Sequence, residues 1–143
     1  MNKIWTVLFV LFFANVKVLA SSGCEYLNVT IENKTNRDCK LIDFTANTGY
    51  ILGNKPAKVI HPGETSRPIK LKQELFTGIG FSTTYQCGKK LIEIISNQNY
   101  CLLSAGNVYG EVETFNSLHT IYKPINGSYS DSQNGQLDWT IFG

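Results

Sequence analysis

The chain has 143 residues, with 13 Lys and Arg against 11 Asp and Glu, a 43% hydrophobic fraction and only 17% charged residues. That is enough apolar material for one packed domain, and it excludes wholesale disorder, a coiled coil and a second domain. Lys3 and Lys17 account for the whole basic excess, so residues 21–143 are neutral overall and carry no electrostatic footprint for nucleic acid.

The first segment reads as a targeting signal. Lys3 gives a positive start, Ile4–Ala14 (IWTVLFVLFFA) is an apolar run, and Val18-Leu19-Ala20 places small residues at −3 and −1 of a cut after Ala20. Asn15 and Lys17 end the run too early for a spanning helix, which needs about 20 apolar residues. Residues 1–20 are therefore expected to be a cleaved signal peptide, with residues 21–143 forming one exported domain. A second reading lies in Ser21-Ser22-Gly23-Cys24, which ends like a lipoprotein site with Cys24 as the lipidated residue. Ser21 is a poor −3 residue for that, and lipidation would strand an odd thiol.

Beyond the leader, period-2 alternation recurs between turn signals, the pattern of an antiparallel β-sandwich of about 8–10 short strands. Leu27, Val29 and Ile31 face one way in residues 26–33. After the turn at 34–38 a strand is expected over 39–46, making a hairpin with the first. The Pro62-Gly63 pair suits a type II turn. Residues 65–72 alternate Arg67, Ile69 and Leu71 against Pro68, Lys70 and Lys72. Residues 80–87 set Phe81, Tyr85 and Cys87 on one face. Leu91–Ile95 is nearly all apolar and reads as a central strand. Gly88-Lys89-Lys90 and Asn97-Gln98-Asn99 read as short hairpin links. Further strands are expected over 101–105, 110–115, 118–123 and 136–142, with a longer polar loop from Gly127 to Gly135.

Four cysteines, Cys24, Cys39, Cys87 and Cys101, in an exported chain predict two disulfides. None has zinc-finger spacing, and without C-x-x-C there is no redox motif. Within the expected hairpin and meander, Cys24 and Cys39 fall at opposite ends, as do Cys87 and Cys101. Bridged Cα atoms must come within about 7 Å. Each bridge should therefore tie the 24–39 region to the 87–101 region, in one of two connectivities, and cross-link the stacked sheets.

Chemistry-bearing motifs are sparse. There is no G-x-S-x-G, H-E-x-x-H, P-loop or dinucleotide fingerprint. His61 sits in the Pro-Gly turn and His119 at a strand start. Glu111 and Glu113 share a strand face, where solvation or pairing to Lys across the sheet accounts for them as well as carboxylate catalysis does. Residues 130–135 resemble a calcium loop only faintly, with Asp131 as the sole carboxylate and Ile141 at the twelfth position. A non-enzyme without cofactor or metal is expected. The alternatives are a hydrolase built on His119 or the glutamate pair, and a structural protein of the periplasm.

Two surface features point to binding. Lys55, Lys58, Arg67, Lys70 and Lys72 outnumber Glu64, and Lys70 and Lys72 share a face suited to anionic lipid or glycan, or to protecting a sheet edge. Tyr50, Tyr100, Tyr109 and Tyr129 stand beside Gly or Asn, where an apolar ring with a polar tip suits membrane interfaces and binding surfaces. Tyr50, Tyr109, Tyr129, Lys70 and Lys72 are the candidate contacts for membrane lipid, glycan or a host protein. Asn28, Asn33 and Asn126 head N-x-Ser/Thr sites.

Cys24-x-Tyr26, Val29-x-Ile31-x-Asn33-x-Thr35, Cys39-x-Leu41, Ile60-x-Pro62-Gly63, Tyr85-x-Cys87, Cys101–Asn107 (CLLSAGN) and the closing Asp138-Trp139-Thr140-Ile141 resemble one secreted family. These are small four-cysteine proteins of gammaproteobacteria that infect amoebae and macrophages. The resemblance implies type II secretion through the periplasm and a host-directed accessory role, and supplies no catalytic residue. Over residues 27–95 the N-x-T strand and I-x-P-G-x-T turn are more loosely similar to aegerolysins, lipid-binding β-sandwich cytolysins. Their Trp-rich contact loops are missing here, since residues 21–143 contain Trp139 alone.

Overall fold

Alternating apolar positions become ten strands in a computed structural model that describes residues 23–103, 105–116 and 118–143. The expected leader, residues 1–20, lies outside them. A 3-10 turn at Gly23–Glu25 leads into β1 (Tyr26–Lys34), β2 (Cys39–Thr48), β3 (Tyr50–Leu52), β4 (Val59–Ile60) and β5 (Ile69–Lys72). There follow β6 (Ile79–Cys87), β7 (Lys90–Gln98), β8 (Val108–Phe115), β9 (His119–Ile125) and β10 (Gly135–Phe142).

Five strands form each of two sheets, in the orders β3-β5-β1-β10-β9 and β4-β2-β6-β7-β8. The first sheet turns Leu27, Val29, Ile31, Ile69, Leu71, Leu137, Trp139 and Ile141 inward. They meet Phe81, Tyr85, Ile92 and Ile94 from the second. Each such side chain gains about 1.5–3 kcal/mol on burial. The two largest core side chains that carry a polar atom have it paired: Trp139 Nε1–H donates to Ser96 Oγ at 2.9 Å, joining the sheets, and the Tyr85 hydroxyl donates to Ala57 O at 2.9 Å. Burial pushes the Tyr85 hydroxyl pKa well above its ordinary value. Pairing is antiparallel except between β1 and β10, which run parallel in register from Leu27↔Gly135 to Lys34↔Phe142.

The architecture and two disulfides agree with the sequence reading, and several details do not. β1 and β2 are not a hairpin, because the chain passes from one sheet to the other between them. The 34–38 turn is instead fixed by Asn33. Its Nδ2 donates to Arg37 O (2.7 Å) and Ile60 O (2.8 Å), and its Oδ1 accepts from Thr35 N (2.9 Å) and Thr35 Oγ1 (2.7 Å). With its amide buried and engaged, Asn33 is no accessible modification site. Residues 101–105 are not a strand: β7 runs on through Gln98, and 99–107 is a loop rather than a tight link. Only 69–72 of the expected 65–72 strand is continuous; Thr65 makes an isolated bridge to Glu32. β5 lies inside its sheet, between β3 and β1, so Lys70 and Lys72 do not guard an edge. Tyr50 and Tyr109 belong to strands, at the start of β3 and near the start of β8.

The turn chemistry is as expected at two places. Gly63 takes φ 82° in the turn where Glu64 N–H donates to His61 O at 3.0 Å. Gly88 takes φ 65° in the link between β6 and β7.

The disulfides are Cys24–Cys101 and Cys39–Cys87. Each ties the early region to the late one, although the hairpin used to reason toward this does not exist. Cys39–Cys87 joins directly opposed residues of neighbouring β2 and β6, so it staples strands within one sheet rather than linking layers. Cys24–Cys101 joins the segment before β1 to the loop after β7, and so couples the sheets at one end. Two disulfides indicate an oxidising compartment outside the cytoplasm. No helix among the described residues is long and apolar enough to cross a membrane.

Candidate functional site

The strand register collects five segments at one end of the sandwich: the 3-10 turn, Gly49 between β2 and β3, residues 73–78 between β5 and β6, residues 99–107 between β7 and β8, and residues 126–134 between β9 and β10. Two of them carry apolar side chains into solvent. Leu75 and Phe76 are 75% and 77% exposed on the first, and Leu102 and Leu103 are 50% and 81% exposed on the second. Isolated exposed leucines are ordinary, whereas apolar pairs on adjoining loops call for a partner.

The loops are held, not merely adjacent. The Gln73 side chain clamps the Cys101 backbone, donating from Nε2 to Cys101 O at 2.7 Å and accepting from Cys101 N at 2.9 Å. Cys101 is anchored by its disulfide to Cys24, and Cys24 O accepts from Gln98 Nε2 at 2.9 Å. The Phe76 and Tyr100 rings meet with centroids 6.1 Å apart. Phe76 sits in a turn closed by Thr77 N–H donating to Glu74 O at 3.2 Å, with φ 63°. That is left-handed backbone, favourable to glycine and costly for a bulky residue. Such strain persists where the surrounding fold imposes it, and it gathers at functional positions.

A cleft of about 400 Å³ beside this tip is lined by Glu25, Tyr50, Lys72, Gln73, Glu74, Leu75 and Tyr100. Lys72 Nζ lies 3.8 Å from Glu25 Oε2. Lys70 and Lys72 also hold their ammonium groups over the Tyr26 ring, 4.4 and 5.6 Å from its centroid. Of the residues singled out by sequence, the fold thus brings Tyr50, Tyr100 and Lys72 to one cleft, with Lys70 one ring away. Tyr129 lies in the 126–134 connection, and Tyr109 is the second residue of β8, next to Val108, whose N–H donates to Asn126 Oδ1 at 2.9 Å. Both belong to the same end of the sandwich, and neither lines that cleft. Leu75, Phe76, Leu102 and Leu103 had no place among the candidates. The signal that finds them is an apolar pair beside turn residues, Glu74 and Thr77 for one loop and Asn99 and Gly106 for the other.

The candidate catalytic groups are dispersed. His61 Nδ1–H donates to Asp38 Oδ1 at 2.8 Å in a solvent-exposed pair. Its hydrogen bond and charge attraction with Asp38, helped by Glu64, raise its pKa above the ordinary 6.5. His119 stands opposite Phe142 in β9, in the other sheet from the glutamates. Glu111 and Glu113 face Ile95 and Glu93 across the β7–β8 ladder, so no lysine answers them there. Asp131 accepts from the Ser128 hydroxyl at 3.3 Å. Among the described residues no three His, Cys, Asp or Glu side chains gather as a metal site.

No protein-family model and no curated protein sequence matches the chain. Solved structures do. The lipid-binding protein Nakanori is similar with a TM-score of 0.64 and 11% identity, over 90% of this chain and 75% of that one. IP-1A from Alcaligenes faecalis is similar with a TM-score of 0.53 and 13% identity, over 85% of this chain and 94% of that one. At these identities the likeness is one of fold.

Proposed function

We propose that this chain is an exported, disulfide-stabilised sandwich that attaches to lipid membranes by inserting the clamped pair of apolar loops. The observation that carries the reading is the solvent exposure of Leu75, Phe76, Leu102 and Leu103 on loops fixed by Gln73 and by the Cys24–Cys101 bridge. A preorganised apolar tip enters a bilayer without first losing loop entropy. Tyr50, Tyr100 and Lys72 border it at the depth where amphipathic rings and long cationic chains meet headgroups. Tyr109, Tyr129 and Lys70 are further contacts at the rim. The fold shared with a lipid-binding protein supports the same reading, and the leader and the likeness to secreted four-cysteine proteins support a host membrane as the target.

The tip is apolar rather than cationic: Glu25 and Glu74 offset Lys72 in its cleft. Attachment should therefore be driven by burial and be weakly dependent on salt. The test is co-sedimentation of the purified chain with phosphatidylcholine vesicles and with vesicles containing phosphatidylserine. Comparable binding to both, little changed in 0.5 M salt, supports the reading. Failure to bind either rejects it.

A further inference from the structure

The opposite end of the sandwich holds a second, chemically different surface. Two adjoining clefts, of about 490 and 380 Å³, share Asn36, Arg37 and Gly88 as a common wall. Lys40 lines the first, and Lys89 and Lys90 line the second. The ion pairs among the described residues engage Lys34, His61 and Lys72, which leaves these four cations without one. The only carboxylate side chain lining either cleft is that of Asp38, and it is engaged by His61 at 2.8 Å.

This surface is also rigid. Arg37 O accepts from Asn33 Nδ2 at 2.7 Å and Thr35 Oγ1 at 2.9 Å, and Arg37 N–H donates to Thr35 Oγ1 at 3.1 Å. The aliphatic stem of Arg37 lies against Gly88, where a Cβ would come within 3.2 Å of its Cγ. Gly88 is in left-handed backbone, at φ 65°. The Cys39–Cys87 bridge fixes β2, which carries Lys40, to the end of β6, and Cys87 in turn pairs with Lys90 at the start of β7. The Arg37 side chain thus rises from a fixed backbone with its stem seated on Gly88, and its planar guanidinium fork matches an oxyanion bidentately.

We propose that this corner binds a sulfated glycan, with Arg37 gripping one sulfate and Lys40, Lys89 and Lys90 neutralising its neighbours. Three features favour a sugar polyanion over other anions. Four unpaired cations around two joined clefts match spaced charges better than a single small ion. The Asn36 and Gln86 amides can meet hydroxyl groups. No aromatic side chain lines either cleft, so a nucleobase has no stacking platform. The corner is also remote from the apolar loops, so a ligand there and a bilayer at the tip can be engaged together.

The experiment is calorimetric titration of the full chain with a heparin-derived hexasaccharide, its fully desulfated counterpart and inorganic sulfate, at low and at physiological salt. Binding of the hexasaccharide alone, weakened roughly tenfold by R37Q and measurably by K89Q, is the expected result. The K70Q variant at the other end should bind like the parent. Lys89 stands exposed at a hairpin tip, so K89Q tests the site even if R37Q disturbs the corner. Equal binding of the desulfated sugar, equal binding of inorganic sulfate, no binding at all, or insensitivity to both substitutions overturns the proposal. Vesicle co-sedimentation of R37Q and K89Q should match the parent, which separates this surface from the membrane-attachment reading.

Discussion

Replacing Phe76 and Leu103 together with serine tests the insertion of the tip most directly. The two side chains are 77% and 81% exposed, so nearly the whole apolar surface of each is available to a bilayer. Full burial of such a side chain contributes about 1.5–3 kcal/mol. Scaled by exposure, each loss is about 1–2 kcal/mol, and the pair weakens partitioning by roughly 30- to 1,000-fold. The assay is vesicle co-sedimentation over a lipid titration, with the thermal midpoint as a control. Exposed positions change stability by only about 0.5 kcal/mol or less, so the midpoint should hold. A companion variant, F76G, removes the ring and also relieves the left-handed strain at φ 63°. It should fold at least as well as the parent and still bind less tightly. Parent-like binding by the double variant would refute the insertion argument.

Asn33→Ala removes one side chain that serves four buried or part-buried backbone and hydroxyl partners; denaturant unfolding should show a loss of about 2–4 kcal/mol. Gly110→Ala would place a Cβ 2.4 Å from the Trp139 ring, and the overpacking should cost about 1–3 kcal/mol in the same assay. Joint replacement of Cys24 and Cys101 by alanine removes about 2–4 kcal/mol of stability and frees the loop carrying Leu102 and Leu103, so vesicle binding should fall under conditions where the chain is still folded. For His61 the Asp38 hydrogen bond and charge raise the pKa, so the stabilisation it gives is fully present below the unfolded value near 6.5 and disappears as pH rises through the raised folded value. Ring-proton NMR should show that raised midpoint, and Asp38→Asn should return it toward the ordinary value; an unchanged midpoint would show that Asp38 is not the cause.

How much of this was legible depended on local alternation. β1, β6 and β10 pack one face inward and expose the other, so Leu27-Val29-Ile31, Phe81-Tyr85-Cys87 and Leu137-Trp139-Ile141 announced themselves. β3 and β4 are 3 and 2 residues long, too short to show a period, and they exist only because neighbouring strands offer them hydrogen bonds. Without β3, the interior position of Lys70 and Lys72 could not be seen. Sheet membership was illegible at Asn33-Lys34: a turn-rich link looks alike whether it closes a hairpin or crosses between layers. Residues 101–105 misled because an apolar run reads as a strand core, while two of its leucines lie in solvent. The basic corner escaped because Arg37 and Lys40 lie far in sequence from Lys89 and Lys90, and the two groups meet through the β2–β6 pairing.

The parallel union of β1 with β10 sets the timetable by which the molecule matures. β10 is the strip that separates β1 from β9 and delivers Trp139 to the middle of the interior. The first layer therefore cannot close until β10, the last strand in chain order among the described residues, is seated between them. Interior and sheet closure thus share one keystone: the ribbon that bridges the two halves of this layer is also the one that plugs the middle of the molecule with an indole ring.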